Sequence, residues 1–304
     1  MTIARNHGQH CVSGQLTWFS DRTGVEAYEA GLDRSLAVEA AIQARGQWPG
    51  WCTSCRRETT FLVRSGAEFA GRPNLREGLR CIHCKLSARQ RSVLMAMQET
   101  IPDRRMRGSI LEQVSILYRR IRREFPQTKG SEFLTQSHAP GRHYVWRSPA
   151  RPWLPRILRH ESILDLSYRS DSLDFLVHTD VLEHVHDTAA ALEECRRVLS
   201  PGGVLVFTAP FFTRLDRSTE RGYLDPQGRL VEILPSEYHG DGLNAAGIYT
   251  FHNFGWSMLE LLCEVFPHVE IGMIHSPISG FVHADGAPGD WNMAPIVFRA
   301  YKHR

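Results

Sequence analysis

One stretch limits the fold more than any other: "DSLDFLVHTDVLEHVHDTAAALEECRRVLSPGGVLVFTAP", residues 171–210. Leu173, Phe175 and Val177 alternate as in a buried strand. Asp187 is a natural N-cap for the helix that follows, and Leu192, Cys195 and Leu199 share one stripe of it. Pro201-Gly202-Gly203 stops that helix, and "VLVFTAP" is again a buried strand. Two buried strands joined by a helix form the repeating unit of a parallel sheet covered on both faces, so the fold class is α/β.

The same alternation extends both ways. "GSILEQVS" (108–115) reads as the first strand of this unit and "ILYRRIRREFP" as an amphipathic helix. Ile116, Leu117, Ile121 and Phe125 share the inner face of that helix, and Arg119, Arg120, Arg122 and Arg123 lie mostly outside. "KGSEFL" is a short second strand carrying Glu132. "SILDLSYRS" (162–170) resembles a strand leading into a cofactor loop. However, the next strand begins near Leu173, which leaves no room for a crossover. Residues 134–160, rich in Pro and Arg, read as loop with one short helix. Residues 211–252 form a long insertion, with a hairpin around Pro226-Gln227-Gly228. A helix, "NFGWSMLELLCEVFP", and two strands, "HVEIGMIH" and "APIVFRAYK", complete the pattern.

Upstream lie two Cys-x-x-Cys pairs, Cys52/Cys55 and Cys81/Cys84. Two intervening residues let a tight turn aim both thiolates at one ion, so two such knuckles complete a closed tetrahedral zinc site of structural type. The residues between the pairs suit a short β-ribbon, with "TTFLV" as a strand. Arg80, Lys85, Arg89 and Arg91 read as a solvated rim that offsets the thiolate charge. Ser87 with Gln90 is a capping box, and Val93, Leu94 and Met97 form the buried stripe of the helix it opens. Three segments follow: a helical N-terminal extension (1–47) broken at Gly31 and stopped at Gly46, a zinc-ribbon-like segment with its linking helix (48–100), and the α/β domain (101–304).

The net charge of +3 is too small to argue for nucleic acid by itself. No apolar run reaches the roughly 18 residues needed to span a bilayer. The N-terminal residues lack the apolar core of a signal peptide, and the seven cysteines are odd in number. A reducing cytoplasm is expected, with metal binding rather than disulfides.

The 171–210 stretch closely resembles the class I S-adenosylmethionine (SAM) dependent methyltransferases, through Asp-strand, "D-V-L-E-H-V", helix, "L-x-P-G-G" and strand. The resemblance spans roughly residues 107–304. It implies a seven-stranded Rossmann-like sheet whose last strand runs antiparallel, SAM as cofactor, and methyl transfer. In such a sheet the ligand lies beyond the carboxyl ends of the strands, where their order reverses. This chain lacks the usual glycine-rich loop there. It offers Glu112, Gln113, Val114 and Ser115 instead, backed by the free amides of a helix N-terminus. Glycine is demanded most where a pyrophosphate approaches the backbone, and SAM has none. Glu112 is expected to take the cofactor's ammonium and Glu132 both ribose hydroxyls. Glu161 and Ser162 are expected at the adenine edge, Ser162 standing where the family often has Asp. Thr179 closes the set.

Candidate catalytic groups are His184, Asp180 and His239, with Asp180 facing the site as a base. Asp180, Glu183 and His184 stand at i, i+3 and i+4, one face of a helix. Similar acid-x-x-Glu-His runs in some methyltransferases hold a divalent ion. The 211–252 insertion is expected to be the acceptor lid, with Arg214, Arg217, Arg221, Tyr223, Glu237, Tyr238, His239 and Asp241, followed by His252 and Trp256. Its chemistry suits a small hydroxylated acceptor, a sugar or natural-product phenol, with O-methylation ahead of N-methylation. The rival expectations are a zinc-ribbon RNA methyltransferase, which would make nucleic acid the partner, and a non-catalytic scaffold.

Overall fold

The computed structural model describes residues 14–32, 36–65, 68–69, 72–148, 151–240, 242–244, 246–282 and 294–303. Cys11 and Asp241 lie outside the described residues. A seven-stranded sheet forms the centre, in the order Thr17–Phe19, His268–Met273, Val297–Tyr301, Leu199–Thr208, Leu173–Thr179, Gly108–Ile110, Thr128–Gly130. The last four are mutually parallel. Val297–Tyr301 runs antiparallel to both its neighbours, and Thr17–Phe19 is antiparallel to His268–Met273. This is the Rossmann-like methyltransferase sheet. One of its seven strands comes from the N-terminal segment, whose Thr-Trp-Phe run is too short to show a periodicity.

Strand order reverses between Gly108–Ile110 and Leu173–Thr179. From the first of these the chain moves outward to Thr128–Gly130, then returns to the other side. Two apolar layers cover the sheet because the strand period of two sends alternate side chains to opposite faces. Leu176, Leu205, Phe207, Ile271 and Phe298 pack with Leu192, Cys195, Met258 and Leu262 on one face. Phe175, Val177, Val204, Val206 and Val297 pack with Val93, Leu94, Met97, Leu117 and Ile121 on the other. Gly108 is required at the join. A Cβ there would sit 2.0 Å from the Phe175 ring, so only glycine lets that strand lie over the buried phenyl group.

The helix Ala88–Thr100 is a layer of this core rather than a tether. Ser87 caps it as a capping box, and Val93, Leu94 and Met97 are fully buried. Residues 143–159 depart from the expected loop with one short helix. They form an antiparallel hairpin, His143–Ser148 with Arg151–Arg159. Val145, Trp153, Leu154 and Ile157 on it are exposed, so no apolar face marked it as strand. Its prolines are tolerated because it lies outside the main sheet.

Candidate functional site

The cysteine pairs converge as their spacing requires. Strands Gln47–Cys52, Arg57–Val63 and Leu79–Cys81 form a three-stranded ribbon that carries both knuckles. The knuckles repeat one geometry. Arg56 N–H donates to the Cys52 carbonyl at 2.7 Å, and Lys85 N–H to the Cys81 carbonyl at 2.9 Å. Both donors sit in the left-handed region, at φ 52° and 64°. Cys52 and Cys84 sulfurs are 3.8 Å apart, and Cys55 and Cys81 sulfurs 3.9 Å. A tetrahedron with sulfurs about 2.3 Å from its centre has edges of about 3.8 Å, so the donor set fits zinc without rearrangement.

Of the four basic residues expected as a solvated rim, Lys85 is exposed and Arg80 half-buried, but Arg89 and Arg91 are not rim residues. Arg91 is fully buried; it lies 4.4 Å over the Phe61 ring and 4.9 Å over Phe281, and donates to the carbonyls of Leu86, Ser279 and Gly280. Burial lowers its pKa, and all four cysteines oppose that shift. It is therefore the internal counter-charge of the cysteine cluster. Arg89 is also drawn inward, toward the sheet. Of the arginine helix Ile116–Glu124, Arg119, Arg122 and Arg123 are exposed, whereas Arg120 donates to the Ser54 carbonyl of the ribbon.

Some of the residues expected at the crevice lie together. Glu132 Oε1 accepts the backbone N–H groups of Gln113 at 2.6 Å and Val114 at 2.7 Å, so a carboxylate organises the glycine-poor turn. Ser115 caps the following helix by accepting from Tyr118 N–H. Gln113 also accepts from Arg159 N–H. Glu112 is half-buried near Glu132, and its enclosed Oε1 has no hydrogen-bond partner among the described residues. Burial pushes its carboxyl up to about 7; Arg89 opposes this, and Glu132 and Asp180 add to it. Glu161, by contrast, is taken up by Arg159 Nε and Nη2 and by Ser167. Ser162 accepts from Leu164 N–H in its own turn, and Thr179 ends the central strand.

Asp180 corrects one expectation. It does not face open space as a base. Arg76 grips it bidentately at 2.7 and 2.7 Å, Arg89 Nε lies 3.2 Å away, and Thr208 donates to it at 2.8 Å. Burial raises the Asp180 pKa, but Arg76 and Arg89 outweigh it and hold the carboxyl well below the usual range. Asp180 precedes the short 3₁₀ turn Leu182–His184 and has φ 50°. No single helix face therefore gathers Asp180, Glu183 and His184. Arg76 comes from the short helical turn Leu75–Gly78 of the ribbon segment, and Glu77 beside it pairs with both Arg76 and Arg89. Sequence reading missed Arg76 altogether. Arg89 Nη1, like Glu112 Oε1, is buried without a hydrogen-bond partner among the described residues.

His239 comes instead to Glu183 and His184. The strand pair Tyr238–His239 with Ile248–Tyr249 lays the insertion against the 3₁₀ turn, and Phe251 N–H donates to the Glu183 carbonyl at 2.7 Å. His184 Nδ1 lies 2.8 Å from the Tyr249 carbonyl, and His239 Nε2 lies 3.1 Å from Glu237 Oε1. Burial lowers the His239 pKa, but Glu183 and Glu237 overcome it and raise the ring to about 9. Arg221 pairs with Glu237 at 3.2 Å. Tyr223 and Tyr238 are exposed, as are Arg214 and Arg217, while His252 is half-buried. Trp256 is a core residue, with its indole N–H on the Thr213 carbonyl and its ring against Phe211.

Comparison with known proteins bears on the strand–helix–strand core. Residues 140–207, less than a quarter of the chain, match the methyltransferase domain family. The chain is 33% identical over 106 residues to a probable SAM-dependent methyltransferase of Mycolicibacterium smegmatis. That match covers 29% of this chain and 41% of the relative, so the chain spans about two fifths of the length of that curated relative. Among solved structures, a SAM-dependent methyltransferase from Mesorhizobium loti is 16% identical, with TM-score 0.37, covering 69% of this chain and 97% of that one. The 1,6-didemethyltoxoflavin-N1-methyltransferase of Burkholderia thailandensis is 12% identical, with TM-score 0.39, covering 71% and 79%.

Proposed function

We propose that this chain, a class I methyltransferase fold by its sheet and its matched segment, transfers methyl groups from SAM to a small hydroxylated acceptor. One observation carries the reading. At the point where strand order reverses, two half-buried groups of opposite charge each keep an enclosed polar atom without a hydrogen-bond partner among the described residues: Glu112 Oε1 and Arg89 Nη1. A zwitterionic amino-acid end, ammonium and carboxylate together, satisfies both at once. SAM has such an end; when bound it supplies a methyl group on a sulfonium, which leaves readily to an in-line nucleophile.

The chain's own residues then divide the work. Glu112 takes the ammonium and Arg89 the carboxylate. Glu132, with the Gln113 and Val114 amides it organises, faces the ribose, and the Ser115 cap fixes the helix beneath. Glu161 and Ser162 shape the adenine edge, and Thr179 lines the strand end. Asp180 positions Arg76 and Arg89 and keeps its charge throughout. The acceptor hydroxyl loses its proton at His184, whose inward Nε2 bears a lone pair when Nδ1 donates, while His239, raised to about 9, is protonated near neutral pH and donates to the acceptor oxygen. The insertion 211–252 covers the acceptor. A structural zinc on Cys52, Cys55, Cys81 and Cys84 holds the ribbon so that Arg76 and Arg89 reach the crevice. Free thiol ligands of this kind fit a reducing cytoplasm. Among the described residues no helix is long and apolar enough to cross a membrane. Withdrawal of Arg89 and Arg91 into the protein removes two of the phosphate contacts an RNA acceptor would use.

Calorimetry tests the cofactor assignment. Wild-type protein binds SAM, and Arg89→Met raises its Kd about 10–100-fold, the effect of losing one charge-assisted hydrogen bond. Absence of SAM binding by the wild type would leave the non-catalytic scaffold as the better reading.

A further inference from the structure

We infer that Glu183, His184 and His239 form a second metal site, separate from the four cysteines, that takes a divalent transition ion with nitrogen and oxygen preference. One ligand atom from each residue lies within 4.8 Å of the others. Glu183 is fully buried, and neither carboxylate oxygen accepts a hydrogen bond among the described residues. Its Oε1 is 3.8 Å from His184 Nε2 and 3.8 Å from His239 Nδ1, beyond hydrogen-bond reach but in line with a shared ion.

The outer nitrogens settle what faces inward. His184 Nδ1 donates to the Tyr249 carbonyl, and His239 Nε2 donates to Glu237 Oε1. The inner nitrogens, His184 Nε2 and His239 Nδ1, both face Glu183, and in the neutral form of each ring that nitrogen carries the lone pair an ion would take. A buried carboxylate with two ring nitrogens around it needs a positive charge at their centre, and at 3.8 Å a proton on His239 leaves both Glu183 oxygens without a hydrogen bond, whereas an ion would contact all three groups. A carbonyl or carboxylate behind each ring is also the arrangement that fixes the tautomer of a metal-bound histidine. Arg221 fixes Glu237 in turn, at 3.2 Å. Ligand bonds of about 2.0–2.2 Å call for spacings nearer 3.0–3.5 Å, so the three groups close by a few tenths of an ångström on loading.

Two imidazoles and one carboxylate, with no thiolate, suit Zn²⁺, Fe²⁺, Co²⁺ or Ni²⁺ and leave coordination positions open. Asp180 takes no part, being held by Arg76 and Arg89. The donor set closes only when Tyr238–His239 pairs with Ile248–Tyr249, so the insertion and the sheet end are joined through the ion. Resting on the reading given under Proposed function, the loaded site would take the acceptor's hydroxyl oxygen at an open position and lower its pKa, so that its proton leaves to water and His184 and His239 serve as ligands in place of bases.

Cobalt titration of the full chain with its cysteine site already filled by zinc tests this. Wild-type protein takes up one further Co²⁺, with a visible spectrum free of thiolate-to-metal bands. His239→Ala and Glu183→Gln each weaken that uptake at least about 10–100-fold, whereas His239→Asp, which keeps a ligand, retains it. Zinc content and melting temperature report whether each variant is folded. Uptake that is absent in the wild type, or unchanged in both weakening variants, overturns the site and leaves a proton shared between His239 and Glu183. Co²⁺ uptake in a protein that fails to bind SAM upholds the site while removing the methyltransferase reading.

Discussion

Two clusters of ligand-type residues sit in this molecule, and they differ in how they are built. The cysteine cluster is local: two knuckles, each closed by its own turn, on one three-stranded ribbon. The Glu183–His184–His239 cluster is assembled at a distance, from the end of the central strand and the middle of an insertion. The first is complete with four sulfurs and a buried counter-charge in Arg91. The second has three donors, and the ion inferred there would have coordination positions left to fill. Four protein ligands close a site and make it structural; three leave chemistry to be done. The ribbon segment nevertheless reaches the end of the central strand, because Arg76 extends from it to Asp180, where it meets Arg89 of the following helix.

That contrast is broken most severely at Cys81. Cys81→Ser is expected to release the ribbon metal and cost at least about 3 kcal/mol of stability, read by metal analysis and chemical denaturation. SAM affinity should fall with it, since Arg76 and Arg89 lose their support; a variant that keeps wild-type SAM affinity would show the two regions to be independent. His184→Ala should do the opposite. Ribbon zinc, melting temperature and SAM binding stay near wild type while kcat falls about 10²–10⁴-fold.

A subtler probe uses the Glu112 carboxyl, raised from its ordinary value to about 7. A raised carboxyl favours the protonated native state. Its contribution to stability is therefore present below about pH 4.5 and is lost as pH rises through about 7. Cofactor affinity has the opposite sign, because an ammonium ligand needs the ionised form. SAM should bind about tenfold more tightly at pH 8 than at pH 6, and Glu112→Gln should flatten that dependence. The smallest expected effect is at Tyr238, which is 56% exposed. Tyr238→Ala should raise the acceptor KM a few-fold and leave SAM affinity alone; an equal loss of both would remove the insertion from acceptor binding.

Much of the fold was legible because it rests on short-range geometry. Ser87 and Gln90 form their capping box three residues apart, and Asp187 caps its helix by accepting from Ala190 N–H. Leu173, Phe175 and Val177 alternate and lie in the core. The 143–159 hairpin was illegible because its apolar residues face solvent rather than one core side. In the crevice, Glu112, Glu132 and the Gln113–Ser115 turn came together as read, whereas the partners of Asp180 did not show. Arg76 lies 104 positions away, and nothing in a charge pattern says which arginine a buried carboxylate will meet.

The sequence by itself determined the strand–helix–strand core, the two knuckles and the acidic turn at the strand reversal. Spacing of two, three or four residues, or strict alternation, is enforced by backbone geometry within a turn or a strand. Only the tertiary structure decided that Arg89 and Arg91 turn inward, that Asp180 is an anchored ion, and that His239 stands opposite Glu183. Those outcomes follow from which chain segments close over one another, and a buried charge takes whatever partner that closure brings within reach.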